Sequence, residues 1–210
     1  MGHERLDFEF ERRFLVDRLP EELIADQNPT VIVQTYFLAA DGYGLRIRLQ
    51  ATNCDRTLQI DSKDRDALVH FANDFDLCIL TAKGPAVGGT RYEAERELDI
   101  GVGLEMCLRG GKTISKRRYG LWVDQDGWVL DQFAGANAPL IIAECERTSP
   151  VTDLAIPSFC AAEVTEDHRF SNDSLVERPY AMWAGEHQAE RILSADHYLQ
   201  EFGENTTSNF

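Results

Sequence analysis

Acidic and basic residues recur in this chain as like-charged pairs spaced two apart. Glu9 and Glu11, Glu93 and Glu95, and Glu144 and Glu146 are the acidic pairs; Arg46 with Arg48 and Lys116 with Arg118 are the basic ones. Arg13, Lys83 and Arg91 add single bases close to the same segments. Carboxylate pairs suit hard divalent cations: magnesium takes a few carboxylates, keeps waters and completes its shell with phosphate oxygens. Arginine offers planar forks that match phosphate oxygens two at a time. Acids and bases gathered in one cavity therefore point to a metal–polyphosphate complex, which one class of charge alone would not.

A spacing of two is the strand period, which puts each pair on one face. In "LRIRL" (45–49) Arg46 and Arg48 share a face, while Leu45, Ile47 and Leu49 take the other. "LDFEFERRFLVD" (6–17) carries Glu9, Glu11 and Arg13 on one side, and Phe8, Phe10, Phe14 and Val16 on the other, interrupted by Arg12. For any single strand, the solvent face of a half-buried antiparallel sheet is the simpler account. The set resists it, because like charges placed side by side repel and are usually dispersed. A closed sheet removes the conflict: apolar faces turn outward under helices, and charged faces line the interior. That interior would collect seven of the chain's 21 Lys and Arg (Arg13, Arg46, Arg48, Lys83, Arg91, Lys116, Arg118) and six acids. Ions buried in that number need water, one another or a ligand.

Strands are expected over 7–16, 30–39, 45–51, 77–84, 91–100, 140–147 and 160–167, with two more in 113–133 around an Asp126-Gly127 turn. "DGYG" (41–44) is a hairpin turn. Short helices are expected after Pro20 and over 101–112, ending at Gly110-Gly111. Residues 52–76 read as an extended hairpin or insertion with a helical turn near Ala67–Ala72. Ile192, Ala195 and Leu199 have helical spacing, and "GENTTSNF" (203–210) reads as a frayed tail. With no βαβ alternation, no G-x-G-x-x-G and no P-loop, the fold class is α+β, mainly β: an antiparallel meander or barrel with flanking helices.

Composition narrows the classes. With 210 residues, 43% hydrophobic, the chain suits one domain with a sizeable core, or one domain (1–176) with an appended helix and tail (177–210). A net charge of -15 argues against nucleic acid and anionic membrane surfaces as partners. There is no long apolar run, and "MGHERLDFEF" lacks a signal-peptide pattern. Five scattered cysteines without C-x-x-C fit a reduced, cytoplasmic setting and not a zinc site. The sequon at Asn205 then carries no meaning.

"EFERRFLV" resembles the E-x-E-x-K opening of the CYTH domain of triphosphate tunnel metalloenzymes. The likeness continues in order through "QTYFL" (34–38), "LRIRL", "LTAKGP" (80–85), "TRYEAE" (90–95), "SKRRY" (115–119), "LDQF" (130–133), "AECE" (143–146) and "EVTEDHRFSNDSL" (163–175). It spans roughly residues 6–176 and implies an eight-stranded antiparallel β-barrel, a tunnel that binds a triphosphate with Mg²⁺ or Mn²⁺. By that resemblance Glu9, Glu11, Glu144 and Glu146 are metal ligands. Glu93 and Glu95 serve a second metal or its waters, and Asp131 lies near the metals. Arg13, Arg46, Arg48, Lys83, Arg91, Lys116 and Arg118 hold phosphates, and Glu9, Glu11, Arg13 and Lys83 form the expected catalytic set. One departure stands out: the signature lysine is Arg13 here, which keeps the charge but does not readily deprotonate. The segment 52–76 is longer than in compact members and could form a lid, and the helix after 176 could plug or flank a tunnel mouth.

Three activities remain open on these residues. The first is a Mg²⁺- or Mn²⁺-dependent phosphohydrolase acting on inorganic triphosphate. The second is a class IV adenylyl cyclase or thiamine triphosphatase, and the third a non-catalytic binder of polyphosphate or nucleotides. The oligomeric state is open, a homodimer included. Trp122, Trp128 and Trp183 read as packing residues, His168 as part of a surface turn, and Asp61, Asp64, Asp66, Asp74 and Asp76 as solvated loop charge.

Overall fold

The computed structural model describes residues 10–26, 28–52, 54–85, 92–193 and 202–209. Its strands are β1 (Phe10–Val16), β2 (Thr30–Ala40), β3 (Tyr43–Ala51), β4 (Leu77–Lys83), β5 (Glu93–Glu97), β6 (Lys112–Val123), β7 (Asp126–Phe133), β8 (Ile141–Arg147), β9 (Ala155–Pro157), β10 (Cys160–Glu163) and β11 (Thr206–Ser208). Nine of them form one sheet in the order β10-β1-β8-β7-β6-β2-β3-β4-β5. All its pairings are antiparallel. The expected eight-stranded closed barrel is corrected here: among the described residues the sheet has nine strands, and β10 and β5 remain unpaired edges. Those edge strands are short, four and five residues. The curl of the sheet brings side chains from β1 and β5 to one cavity without joining the edges.

Local chemistry explains the turns and caps. Asp41 and Gly42 both have positive φ (53° and 80°), as a two-residue hairpin loop between Ala40 and Tyr43 requires. The second hairpin turns two residues earlier than expected, at Asp124-Gln125: Asp124 takes φ 53° and Val123 pairs with Asp126. Helix α1 is Glu21–Asp26, α2 Asp64–His70, α3 Ile100–Arg109, α4 Asn172–Glu177 and α5 Ala184–Leu193. Asp99 caps α3 by accepting the Val102 N–H at 2.9 Å, and Arg109 sits in its last turn, each matching the helix dipole.

Two apolar clusters lie on the outer side of the sheet, as the strand pattern predicts. Phe14, Tyr119, Trp128, Leu130 and Cys145 pack with Leu19 and Leu23, the latter from α1. Ile47, Leu49 and Cys78 pack beneath Leu68 of α2 and Cys107 of α3. The segment 52–76 is thus neither an extended hairpin nor a lid. Leu58, Ala67, Leu68, Phe71 and Phe75 are buried in the second cluster, because the exposed alternative would leave the β3–β4 outer face bare. Asp64 is not solvated loop charge either: it accepts from the Ser115 N–H and hydroxyl (both 2.8 Å) and the Ala136 N–H (3.2 Å), pinning α2 to β6. Truncating Phe71 to alanine is expected to cost about 3–5 kcal/mol. Urea unfolding should show that loss as a lower midpoint with an unchanged slope.

A third cluster departs from the expectation that apolar faces all turn outward. Leu15, Ile114, Phe133 and Ile142 alternate in register with the charged positions, so they share their face, and Leu175 and Val176 of α4 pack against them. Helix α4 therefore plugs one end of the curled sheet, taking the role expected of the later helix. The tail is not frayed: Thr206–Ser208 pairs in parallel with β9. Ile192 falls in α5, and Ala195 and Leu199 lie outside the described residues. Trp128 and Trp183 are buried as expected, whereas Trp122 is 75% exposed and packs nothing into a core.

Candidate active site

The concave side of the sheet encloses a cavity of about 320 Å³. Its wall is built strand by strand from the alternating charged positions. It carries Glu11 and Arg13 of β1, Gln34 and Tyr36 of β2, Arg46 and Arg48 of β3, Lys83 of β4, Glu93 and Glu95 of β5, Arg118 of β6, and Glu144 and Glu146 of β8. Ser171, Asn172 and Asp173 close it from the start of α4. Period-two alternation of charge locates the acids and bases that the strands contribute to this wall, apart from Lys83, a single base at the end of an apolar strand. It misses Gln34, Gly44, Ser171, Asn172 and Asp173, which belong to no charged pair, whereas Tyr36 is signalled by the Q-x-Y of "QTYFL". Glu9 and Arg91 lie outside the described residues.

One wall of the cavity is basic and cross-braced. Arg46 donates to the Tyr36 hydroxyl at 3.3 Å and lies 3.8 Å from Glu93. Arg48 lies 3.8 Å from Glu95, whose carboxylate also accepts the Thr81 hydroxyl at 3.0 Å, and Lys83 pairs with Glu93. Burial opposes the charge of Arg46, but Tyr36, Glu93 and Glu95 more than restore it. Arg48 is pushed down by burial and by its neighbour Arg46. The Nε atoms of Arg46 and Arg48 are buried without a hydrogen-bond partner among the described residues. Buried donors of that kind are costly unless something accepts from them.

The opposite wall is acidic. Glu11 stands opposite Glu146, and Arg13 opposite Glu144, across the β1–β8 ladder. Glu144 is raised by burial and by the charges of Asp131 and Glu11, which Lys116 and Arg118 only partly offset. Burial and neighbouring carboxylates oppose its charge, a condition that a hard cation relieves. Among the described residues no three His, Cys, Asp or Glu side chains converge on one point. A metal here would be held by one or two of Glu11, Glu144 and Glu146, with waters and substrate oxygens filling the shell.

Two expected site residues sit behind the wall. Asp131 and Lys116 are each 1% exposed, and α4 packs on β6, which carries Lys116. The Lys116 ammonium donates to Asp131 at 2.5 Å and to Asn172 at 3.2 Å. Arg118 takes both oxygens of Asp131, each at 2.7 Å, and reaches Glu144 at 3.4 Å. Both Asp131 oxygens are therefore engaged by bases, and its carboxylate orients Arg118 toward the cavity. The place of Lys116 beneath the plug could not be read from strand alternation, because alternation gives the face and not what covers it.

No family model matches the chain. It is 35% identical to an inorganic triphosphatase of Acetivibrio thermocellus over 120 residues, which is 56% of this chain and 76% of that protein. Among solved structures, the inorganic triphosphatase NE1496 superposes with a TM-score of 0.50 at 24% identity, over 83% of this chain and 97% of the other. That second likeness is one of fold. With a cavity walled by the paired acids and bases of its ordered motifs, and with that identity across most of a curated relative, the chain belongs to the CYTH family of triphosphate tunnel metalloenzymes.

Proposed function

We propose that this protein hydrolyses inorganic triphosphate, using Mg²⁺ or Mn²⁺, in the charged cavity of its curled sheet. The observation that carries the reading is the cavity's mixed lining, in which Arg46, Arg48, Lys83 and Arg118 share one space with Glu11, Glu144 and Glu146. The relative from Acetivibrio thermocellus supports the same activity. Arg46, Arg48, Arg118 and Lys83 hold the phosphates, with Arg13 at the end next to α4; for Arg91, outside the described residues, the same role rests on the family resemblance alone. Glu11, Glu144 and Glu146, with Glu9, hold the metal, while Glu93 and Glu95 keep Lys83, Arg46 and Arg48 aimed inward. Lys116 and Asp131 act from behind by fixing Arg118.

The divalent ion supplies charge neutralisation and activation of water at neutral pH. The chain's own part is electrostatic: fixed guanidinium groups face the charge that grows on the departing phosphate oxygen, in a site that needs no reorganisation. Glu144, whose carboxyl is pushed up by burial and by Asp131 and Glu11, gains from a cation at this point. Among the described residues Tyr36 is the one aromatic side chain lining the cavity, and its hydroxyl accepts from Arg46. Tyr36 is 6% exposed and packed in the cluster around Ile114 and Phe133, which leaves its ring little free face for stacking a base and favours inorganic triphosphate over ATP or thiamine triphosphate.

Phosphate release from tripolyphosphate, ATP and thiamine triphosphate, each titrated with Mg²⁺ and Mn²⁺, tests the reading. Tripolyphosphate should be turned over fastest, and chelation of the metal should abolish turnover. Folded protein that releases no phosphate from tripolyphosphate with either metal sinks it. Within it, Glu144→Gln is expected to raise the metal concentration for half-maximal activity by at least roughly 10-fold. An unchanged metal titration would remove Glu144 from the ligand set.

A further inference from the structure

Strand β1 carries a cation on each face, and the outer one has no place in the tunnel. Arg12 is buried on the outer side, where it grips Glu163 of β10 with two bonds, Nε to Oε1 at 2.8 Å and Nη2 to Oε2 at 2.7 Å. Both side chains are 1% exposed. Its third corner, Nη1, donates to Asn205 Oδ1 at 2.6 Å, and the guanidinium lies 5.0 Å from the Phe202 ring centre. The C-terminal segment is thus fastened over this pair, and Glu204 and Thr206 are held in turn by the β9 region. A buried ion pair is a weak source of stability compared with apolar residues of the same size. Its presence here calls for something it positions.

The bonds lead from that pair to the tunnel. Glu163 Oε1 also accepts the Thr165 hydroxyl at 2.6 Å. Thr165 Oγ1 accepts the Arg13 backbone N–H at 3.1 Å, and the Thr165 carbonyl accepts from Arg13 Nη2 at 3.2 Å. The Val164 N–H donates to the Arg13 carbonyl at 2.8 Å. Arg13 is therefore held at both backbone polar groups and at one corner of its guanidinium. Its Nε is buried without a hydrogen-bond partner among the described residues and stands 3.6 Å from Glu11 Oε1, on the cavity wall. A guanidinium has five donors in a fixed plane, so one corner can be tied to Thr165 while the rest face a ligand. An ammonium is a single point and cannot be oriented in this way. The network gives a physical reason for arginine at the place of the signature lysine.

We propose that Thr165, Glu163 and Arg12, locked from behind by Phe202 and Asn205, are positioning residues that hold Arg13 in its phosphate-binding orientation. The proposal rests on the triphosphatase reading for the identity of what Arg13 contacts. The C-terminal segment then acts on the site without touching it, through a chain of hydrogen bonds that crosses β1 from its outer face to its inner one. Preorganised groups of this kind matter because a small loss of alignment weakens every contact the group makes.

A double-mutant cycle with Arg13→Ala decides it. Thr165→Val is expected to raise the KM for tripolyphosphate about 10-fold, the equivalent of one lost hydrogen bond, with kcat within about twofold. Thr165→Ser should restore the wild-type value. Asn205→Ala should shift KM in the same direction by a smaller factor. In the Arg13→Ala background neither substitution should have further effect, since residues that act through one group are not additive. Equal effects in both backgrounds, or an unchanged KM in Thr165→Val, overturn the proposal. Should Thr165→Val lower the melting temperature sharply, the Asn205→Ala arm of the cycle decides in its place. If the wild type turns over no triphosphate, the functional reading fails separately. The same cycle is then measured as tripolyphosphate affinity by calorimetry, with non-additivity again the expected result and additivity the contrary one.

Discussion

Replacing Arg46 and Arg48 together by alanine should abolish measurable tripolyphosphate binding while leaving the fold intact. Both side chains line the cavity from β3, and both have an Nε that nothing among the described residues accepts from. A hydrogen bond to a charged group contributes roughly 1.5–3 kcal/mol. Two such residues together correspond to a loss in kcat/KM of roughly a hundred- to ten-thousand-fold. Stability should move little, and for a reason that can be stated. Arg48 is already pushed down by burial and by the like charge of Arg46. Removing both removes that repulsion along with the pairings to Glu93 and Glu95. Calorimetry gives the binding loss and a thermal melt the fold. Retained turnover in a protein with a wild-type melt would mean that the phosphates lie elsewhere.

How much of this was legible in the residues depends on what alternation can report. Period two assigns side chains to faces, so Glu11 and Arg13 on β1 and the pairs on β3, β5 and β8 led directly to the cavity wall. The same rule placed Ile47 and Leu49 on the outer face, where α2 and α3 cover them. Three things escaped it. Whether the sheet closes depends on how its edge strands pair, and no residue pattern within β5 or β10 reports on that. Lys116 and Arg118 look alike in "SKRRY", yet only Arg118 lines the cavity, because α4 covers Lys116. The polar loops also hid their partners. Asp64, in an acidic stretch, became the anchor of α2, and Asn205, in an apparent tail, became the partner of Arg12. In each case the decisive contact joins segments 51 to 193 residues apart, a distance over which local spacing carries no signal.

Neutralising Asp131 to asparagine should be the most destabilising single change in the site. Asp131 stands between two cations, Lys116 at 2.5 Å and Arg118 at 2.7 Å, in a position closed to solvent. Asparagine keeps the shape but leaves both cations without their counter-charge. Breaking a buried pair from one side costs about 3–5 kcal/mol, or a melting temperature lower by roughly 6 to 20 °C for a chain of this size. The two cations are not equivalent. Arg118 is partly exposed and keeps Glu144 at 3.4 Å, whereas Lys116 is sealed in, and burial pushes its ammonium down. Adding Lys116→Met to Asp131→Asn should therefore recover most of the lost stability. It should not recover activity, because Arg118 stays released from the carboxylate that aims it. The pH dependence follows from the same charges. Burial raises the Asp131 carboxyl, but Arg118 and Lys116 outweigh it and hold it well below the usual carboxylate range. Its stabilisation is present above the unfolded-state value of about 3.9 and is lost as pH falls through the lower folded value. The gap between the melting temperatures of wild type and Asp131→Asn should thus be widest near neutral pH and narrow below about pH 4. A gap that stays constant into acid would mean that Asp131 stabilises the protein by packing and not by charge.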